Sequence, residues 1–279
     1  MKRQENKRPS AKKSLGQNFL TDPNIIRKIV EAVRPSASDA IIEIGPGRGA
    51  LTEKLVESGA SVLAIELDGD LAKALSEQFA DNANVRVIEE DVLNANFGRS
   101  EFWPPAYAGG SDMKLVANLP YYISTAILQR LADQRRLFSE LVLMFQREVV
   151  ERIKVGPGNS ERGYLTVIVE ACFEVEKLFD VPPAAFRPVP KVWSSVVRLI
   201  PKEKSDLDEA AFRDLLSVAF AQKRKTILNN LRTSYSDPEK CLEQAGIEPR
   251  RRAESITLEE WIKLNQCITG QSRRDILSD

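Results

Sequence analysis

The sequence predicts an α/β fold: a Rossmann-like, doubly wound parallel sheet followed by a small C-terminal all-α domain. Short apolar runs alternate with amphipathic helical patterns through residues 21–200. A glycine-rich turn joins the first apolar run to the helix that follows it, and no strand pattern returns after the polar segment at 201–208. Regular β-α alternation favours a parallel sheet covered by helices on both faces.

The elements of the sheet-forming part follow in order along the chain. A helix begins at Thr21-Asp22-Pro23, where an acidic cap precedes a proline of the first turn, and ends before Pro35. Buried strands are predicted at 40–44, 61–66, 85–88, 114–117 and 141–145, and the helices between them at 50–58, 71–79 and 125–131. Next come a helix at 146–154, an ambiguous segment at 164–172 in which helix is favoured, and strands at 173–181 and 192–200.

Changes in composition divide the chain into three parts. Residues 1–16 form a basic arm, with six Lys or Arg against one acidic residue. Residues 17–204 form the predicted catalytic domain, which includes a loop at 96–112 without an assigned role. Residues 205–279 form a helical domain with helices at 212–220, 227–231, 238–245 and 258–268.

Composition excludes several classes of protein and of site. No apolar run is long enough for a membrane-spanning helix. Cys172, Cys241 and Cys267 are odd in number and far apart, which excludes a disulfide framework and any cysteine-pair zinc site and suggests a reducing, cytoplasmic setting. The chain has no histidine, so it contains no Ser-His-Asp triad, no imidazole base and no His-ligated metal; no metal site is predicted.

The glycine-rich turn predicts a cofactor that carries adenosine. Residues 43–50 read EIGPGRGA between the first strand and its helix, where glycines allow the backbone to approach a ligand closely. Gly45, Gly47 and Ala50 also satisfy the G-x-G-x-x-A form of the dinucleotide fingerprint. Glu66, at the end of the second strand, is placed to hold ribose hydroxyls. The turn by itself therefore leaves NAD and S-adenosylmethionine (SAM) both open.

Three further features favour SAM. Glu43 precedes the first glycine, and Gly49 extends the pattern to E-x-G-x-G-x-G, the common form for a ligand with an ammonium and a sulfonium. Asp91 ends the third strand, where its carboxylate can accept a hydrogen bond from the adenine amino group. Asn118 ends the fourth strand at the same carboxyl edge, where open α/β sheets bind ligands. The expected cofactor is SAM, with S-adenosylhomocysteine as its product.

The segment Asn118-Leu119-Pro120-Tyr121 predicts methyl transfer to an exocyclic adenine nitrogen. This nitrogen is a poor nucleophile because its lone pair is delocalised into the ring. The Asn118 side-chain oxygen and the Leu119 carbonyl can hold both of its N–H groups and favour a pyramidal nitrogen. Pro120 restricts the backbone, and Tyr121 offers a face on which an extruded base stacks. Positioning and electrostatics do most of this work, so no histidine is needed.

The sequence resembles the KsgA family of ribosomal RNA adenine dimethyltransferases, also called RsmA, from about residue 15 to 268. Five ordered motifs carry the resemblance: SLGQNFL at 14–20, the glycine loop at 43–51, NLPYYIS at 118–124, FRPVPKV at 186–192 followed by SSVV at 194–197, and AFAQKRKT at 219–226. The family's N-terminal motif closes over the cofactor. Carried over by position, the resemblance implies cofactor contacts at Asn18, Leu20, Gly45, Glu66, Asp91 and Asn118, and it places Phe186 against the target adenine opposite Tyr121.

The resemblance also implies a substrate and partners. It implies N6,N6-dimethylation of two adjacent adenosines in a hairpin loop near the 3′ end of small-subunit ribosomal RNA, within the assembling subunit, by a monomeric enzyme. Net charge is 0, so RNA binding must depend on local basic groups. The candidates are Arg147, Lys191, Lys223, Arg224 and Lys225, with Arg152, Lys154 and the basic arm as further positions.

Three alternatives stay open at this point. An Erm-type methyltransferase shares fold and mechanism but acts on large-subunit RNA; the motifs at 186–195 and 219–222 favour the small subunit. An NAD-dependent oxidoreductase would need a residue for hydride chemistry, for which the sequence offers no recognisable candidate. A non-catalytic RNA-binding assembly factor would not need the intact glycine loop and Asn118.

Overall fold

The computed structural model describes residues 12, 16–99, 113–120, 123–203 and 207–276. The chain divides into two compact units, the first formed by Met1–Val150 and Glu174–Pro201 and the second by Glu151–Phe173 and Lys202–Asp279. Among the helices of the described residues, none combines the length and the apolar character that crossing a lipid bilayer requires.

Nine strands are present in the described residues. They are β1 (Phe19–Leu20), β2 (Ala40–Ile44), β3 (Ser61–Glu66), β4 (Val85–Glu89), β5 (Met113–Asn118), β6 (Phe138–Gln146), β7 (Phe173–Val181), β8 (Phe186–Arg187) and β9 (Ser194–Pro201). The strands predicted at 40–44, 61–66 and 173–181 are confirmed with these bounds, and the others are confirmed with shifted ends.

Ten α-helices are present in the same residues. They are α1 (Pro23–Val33), α2 (Ala50–Val56), α3 (Gly69–Gln78), α4 (Ser124–Asp133), α5 (Arg147–Ile153), α6 (Tyr164–Cys172), α7 (Glu209–Ala219), α8 (Ile227–Leu231), α9 (Pro238–Gln244) and α10 (Leu258–Ile276).

The main sheet has the order β4-β3-β2-β5-β6-β9-β7. Strands β2 to β6 run parallel, and β9 pairs antiparallel with β6. Within the main sheet, β2 comes first in the chain. β3 and β4 are added on one side of it, and β5 then lies on its other side. This confirms the doubly wound α/β fold and creates a switch point between the carboxyl ends of β2 and β5, the position at which such sheets bind ligands.

The helix cap predicted before α1 is confirmed. The Asp22 carboxylate accepts hydrogen bonds from the backbone N–H groups of Asn24 (2.8 Å) and Ile25 (3.2 Å), and Pro23 is the first helical residue. The apolar face of α1 then packs with α2 into the core beside the sheet. The capped helix therefore fixes where the N-terminal segment enters the fold.

Strand β6 begins before the predicted span of 141–145 and includes an acidic residue, Glu140, that is buried within the strand. Glu140 is buried and lies 3.1 Å from the guanidinium of Arg198 on β9 and 3.7 Å from the Lys114 ammonium on β5. Two cations from neighbouring strands compensate the charge, so the strand continues through a residue that looks like a strand end in sequence.

A two-stranded sheet of β1 and β8 was not predicted. It pairs Phe19 with Arg187 and Leu20 with Phe186 in antiparallel register. Each strand has only two residues, too few to show a periodic pattern. The pairing connects the N-terminal motif to the segment at 186–192, which lies far along the chain.

The second unit consists of helices. Helix α6, in the segment for which helix was favoured, packs against α7 and α10 in this unit, although the sequence division places 164–172 in the catalytic domain. Residues 151–173 therefore group with the helices rather than with the sheet. The domain boundaries themselves stay predictions.

The expectation that the cysteines form no disulfide is wrong for one pair. Cys241 of α9 and Cys267 of α10 form a disulfide, with Cα atoms 5.5 Å apart. The residues are 26 positions apart in sequence, but α9 and α10 pack against each other. Sequence distance is no guide to spatial distance here. The inference of a reducing compartment, which rested on unpaired cysteines, loses that support.

Candidate active site

A cavity of about 330 Å³ opens at the switch point of the sheet. Three segments of the first unit line it: the N-terminal segment at 16–21, the glycine loop at 45–51 and the end of β5 at 118–120. A second cavity of about 60 Å³ extends to the ends of β3 and β4. The two cavities share Gln17, Gly45, Glu66 and Pro120, so they adjoin each other along the carboxyl edge. We call the two together the cleft.

The glycine loop adopts a backbone conformation that favours glycine. Gly45 and Gly47 have φ angles of +65° and +58°. A Cβ atom on Gly47 would lie 3.0 Å from the Phe19 ring, which covers the loop. The Phe19 ring in turn lies 4.5 Å from the guanidinium carbon of Arg48. A side chain at Gly47 would therefore disturb the packing of the loop against the N-terminal segment, whereas one at Gly45 would be disfavoured by the positive φ.

Glu66, at the end of β3, binds both the glycine loop and the turn that follows β3. Its carboxylate accepts hydrogen bonds from the backbone N–H groups of Gly47 (3.0 Å) and Asp68 (2.9 Å), one on each oxygen. Burial raises the pKa of Glu66 despite these bonds. Each oxygen retains a further lone pair, so the carboxylate can also accept from hydroxyl groups of a ligand.

Asp68, which the sequence analysis did not single out, fastens the N-terminal segment over the cleft. Its carboxylate accepts hydrogen bonds from Lys12 Nζ (2.6 Å) and Gln17 Nε2 (3.0 Å). Although burial opposes ionisation, these bonds hold the pKa of Asp68 below its ordinary value. The only signal available in sequence was its position two residues after Glu66. Gln17 itself lines both cavities and lies within the SLGQNFL motif.

Glu43 forms a buried acidic wall of the larger cavity. Its side chain is 1% exposed and accepts a hydrogen bond from the Thr52 hydroxyl at 2.6 Å. Burial raises the pKa of Glu43 to about 7, and the nearby charge of Glu66 acts in the same direction. A cationic ligand would lower the pKa of Glu43 again, because a nearby positive charge favours the ionised carboxylate.

This raised pKa predicts a pH dependence of stability. The unfolded chain releases the Glu43 proton near pH 4.5, whereas the folded protein retains it to about pH 7. The free energy of unfolding should therefore fall across this interval as pH rises, by up to about 3 kcal/mol from Glu43. Urea unfolding of the wild type and of Glu43→Gln at pH 4.5 and at about pH 7 measures how much free energy of unfolding each protein loses across the interval. An identical pH dependence in the two proteins would contradict the assignment.

Asn118 occupies the last position of β5, at the border of the larger cavity. Its side-chain Nδ2 donates a hydrogen bond to the carbonyl oxygen of Asn18 at 3.1 Å. This bond uses one of the two amide N–H groups and holds the orientation of the side chain, and Oδ1 remains an acceptor for a substrate. Leu119 and Pro120 follow along the cavity wall.

Most of the predicted cofactor residues meet in this cleft. The larger cavity is lined by Asn18, Leu20, Glu43, Gly45, Gly47, Glu66 and Asn118 among others, and the smaller by Asp91. Phe186 does not line either cavity: it is 0% exposed and belongs to the core beside Leu20. Its ring lies in the hydrophobic core together with Leu20, its partner in the β1–β8 pairing, which the sequence did not reveal. Tyr121 lies outside the described residues.

The candidate RNA-binding residues lie on the surfaces of the two units. Arg147 and Lys191 are exposed on the first unit, and Lys223, Arg224 and Lys225 are exposed on the second, in the turn between α7 and α8. Apart from Lys12, which binds Asp68, the lysines and arginines of the basic arm lie outside the described residues.

Comparison with known proteins gives one consistent family. Residues 8–269 match the family described as Ribosomal RNA adenine dimethylase. The chain is 40% identical over 271 residues to the Ribosomal RNA small subunit methyltransferase A of Geobacillus sp. (strain WCH70), covering 93% of this chain and 92% of the relative. It is 41% identical over 266 residues to the protein of the same name from Geobacter metallireducens, covering 92% and 95%.

Solved structures show the same similarity. A dimethyladenosine transferase from Plasmodium falciparum superposes with a TM-score of 0.77 at 29% identity, over 91% of this chain and 98% of that one. The 23S rRNA methyltransferase ErmE superposes with a TM-score of 0.65 at 26% identity, over 90% and 100%.

Proposed function

The chain belongs to the ribosomal RNA adenine dimethylase family, and from this premise we propose that it dimethylates adenine N6 in small-subunit ribosomal RNA with SAM as methyl donor. We further propose that the targets are two adjacent adenosines in a hairpin loop near the 3′ end of that RNA. The observation that carries the proposal is Asn118, whose Oδ1 remains an acceptor beside the cleft while Nδ2 donates to Asn18.

The cleft fits SAM in shape and charge. SAM supplies a methyl group activated by its sulfonium, and it also carries an ammonium. Two buried carboxylates, Glu43 and Glu66, border the larger cavity and suit a cationic ligand. We propose that Glu66 holds the ribose hydroxyls and that Asp91 accepts from the adenine amino group in the smaller cavity. At Gly45 a Cβ atom would have only the Asn118 carbonyl oxygen nearby, at 3.6 Å, so glycine at this position leaves the backbone open to the cavity.

In the proposed reaction the chain positions and desolvates the target nitrogen. Asn118 Oδ1 and the Leu119 carbonyl accept its two N–H groups and direct its lone pair toward the methyl carbon. When bound, SAM would supply the methyl group to this nitrogen, with S-adenosylhomocysteine as the leaving group, and the proton lost by the methylated nitrogen would pass to water. Orientation supplies most of the rate enhancement. Tyr121 is proposed to stack on the extruded base; Phe186 could reach it only after leaving the core.

This arrangement predicts the product. A monomethylated nitrogen retains one N–H that can be held for a second transfer, whereas a dimethylated nitrogen retains none. We expect N6,N6-dimethyladenosine with two SAM consumed per base. Incubation with labelled SAM and unmethylated small subunits, followed by mass spectrometry of the nucleosides, measures this. Monomethyladenosine as the final product at exhaustive conversion would contradict the mechanism.

The small-subunit substrate rests on the named relatives, and the large subunit is the alternative. Both relatives described above are named for the small subunit and are about 40% identical, whereas the ErmE structure is 26% identical. Parallel reactions with unmethylated small and large subunits distinguish the two.

We propose that the enzyme acts as a monomer on the assembling subunit. Because this substrate assembles in the cytoplasm, we also propose that the enzyme acts there.

Lys223, Arg224 and Lys225 are proposed to contact RNA phosphates. All three are exposed in one turn of the second unit. Because each phosphate contact releases a counterion, their combined reversal to Glu should reduce the slope of log affinity against log salt by about 2 to 3. Binding to small subunits between low and physiological salt measures the slope. Lys240→Glu with Lys263→Glu, two exposed lysines of the same unit, is the control. A slope equal to that of the wild type would make the turn ordinary surface.

A further inference from the structure

A cluster of exposed apolar side chains follows the β1–β8 pairing. Among the described residues four large hydrophobic side chains are exposed, and three of them lie within five positions: Val189 (56%), Val192 (41%) and Trp193 (45%). We call these three residues the apolar ridge. Exposure of single apolar side chains is ordinary, whereas three within one short segment make it a candidate interaction surface.

The ridge lies at the carboxyl edge of the sheet, as Asn118 does. Asn118 pairs with Met144 of β6, which in turn pairs with Val196 of β9. Trp193 precedes β9 by one residue, and its carbonyl accepts a hydrogen bond from the N–H of Arg147 at 2.9 Å, just beyond the end of β6. Strand spacing and residue rise place the Cα atoms of Trp193 and Asn118 about 14 Å apart. This distance suits a neighbour of the target nucleotide rather than the target itself.

The charge around the ridge favours a polyanion. Residues 181–200 contain Arg187, Lys191 and Arg198 and no acidic residue. Arg198 is engaged by Glu140 and Glu176. Arg187 lies just before the ridge and Lys191 within it, and both are exposed, although the Arg187 guanidinium also donates to backbone carbonyl groups of its own segment. An indole close in sequence to exposed cations is a combination that suits single-stranded nucleic acid, because the ring stacks on a base while the cations meet phosphates.

We propose that the apolar ridge is a docking surface for unpaired RNA, in which Trp193 stacks on a nucleotide next to the target adenosine. The proposal rests on the proposed function and adds a contact that holds the strand while the target base is extruded. Stacking on an indole is tolerant of base identity, so this contact contributes affinity and register rather than sequence choice.

Variants at Trp193 separate stacking from general apolar contact. We expect Trp193→Ala and Trp193→Leu each to weaken binding of a hairpin RNA carrying the two adenosines by about tenfold, and Trp193→Phe to retain most of the affinity because a π-face remains. SAM affinity should not change in any of them. Equal RNA affinity of the Ala variant and the wild type, or full affinity in the Leu variant, would overturn the proposal.

Abasic nucleotides test which base is stacked. Removing the base at one position beside the adenosine pair should weaken wild-type binding by a similar factor, and Trp193→Ala should then cause no further loss. Independent losses at every flanking position would overturn the assignment. If Trp193→Ala weakens binding to whole subunits but not to the hairpin, the ridge contacts ribosomal protein and the inference is wrong. Failure of the wild type to methylate small subunits would instead refute the proposed function.

Discussion

Asn118→Ala should lower kcat for methyl transfer by on the order of a hundredfold or more. The substitution removes the Oδ1 acceptor that holds the target nitrogen, and loss of one such preorganised hydrogen bond at a reacting centre has this magnitude. SAM affinity should fall less, because Glu43, Glu66 and the glycine loop remain. Single-turnover methylation of unmethylated small subunits measures the chemical step, and calorimetry measures SAM binding.

The bond from Asn118 to the Asn18 carbonyl requires a matched control, since alanine also removes this tie to the N-terminal segment. Asn118→Asp retains an acceptor for the target nitrogen but has no N–H for Asn18. If acceptance drives catalysis, the Asp variant should be considerably faster than the Ala variant. Turnover of Asn118→Ala at the wild-type rate would refute the mechanism, and equal losses in both variants would assign Asn118 a positioning role.

Glu66→Ala should weaken SAM binding by roughly ten- to a hundredfold. A hydrogen bond to a charged group contributes about 1.5–3 kcal/mol, and this carboxylate is proposed to hold the ribose hydroxyls. It also organises the backbone at Gly47 and Asp68, so its loss loosens both sides of the cleft. Calorimetric titration with SAM and S-adenosylhomocysteine gives the affinities.

Two controls accompany this substitution. Glu66→Gln preserves the shape and one acceptor oxygen and should lie between the wild type and Glu66→Ala in affinity. Titration with NAD should give no binding in any of the proteins, because the buried carboxylates oppose its pyrophosphate. Unchanged SAM affinity in Glu66→Ala, with folding intact by thermal unfolding, would exclude Glu66 from the cofactor site; tight NAD binding would reject the cofactor assignment as a whole.

Most strands of the sheet were predictable because each can be recognised from its own residues and their immediate neighbours in the sequence. Strands such as Ala40–Ile44 and Ser61–Glu66 are continuous apolar runs bounded by polar and glycine residues, and Asp22-Pro23 marks the start of its helix. β6 shows the limit, since Glu140 is compensated by Lys114 and Arg198 from other strands. A rule based on neighbours in sequence has no access to such a partner.

The sequence by itself determined the α/β fold, the glycine loop and the placement of Glu43, Glu66 and Asn118 near the carboxyl ends of three strands. Parallel strands bring these ends to one edge of the sheet. Only the tertiary structure decided which distant segments meet, both around the cleft and within the helical unit. The pairing of β1 with β8, the hold of Asp68 on Gln17, the burial of Phe186 and the Cys241–Cys267 disulfide all join segments distant along the chain. Their contacts depend on how the elements pack, and that packing leaves no periodic trace in the segments themselves.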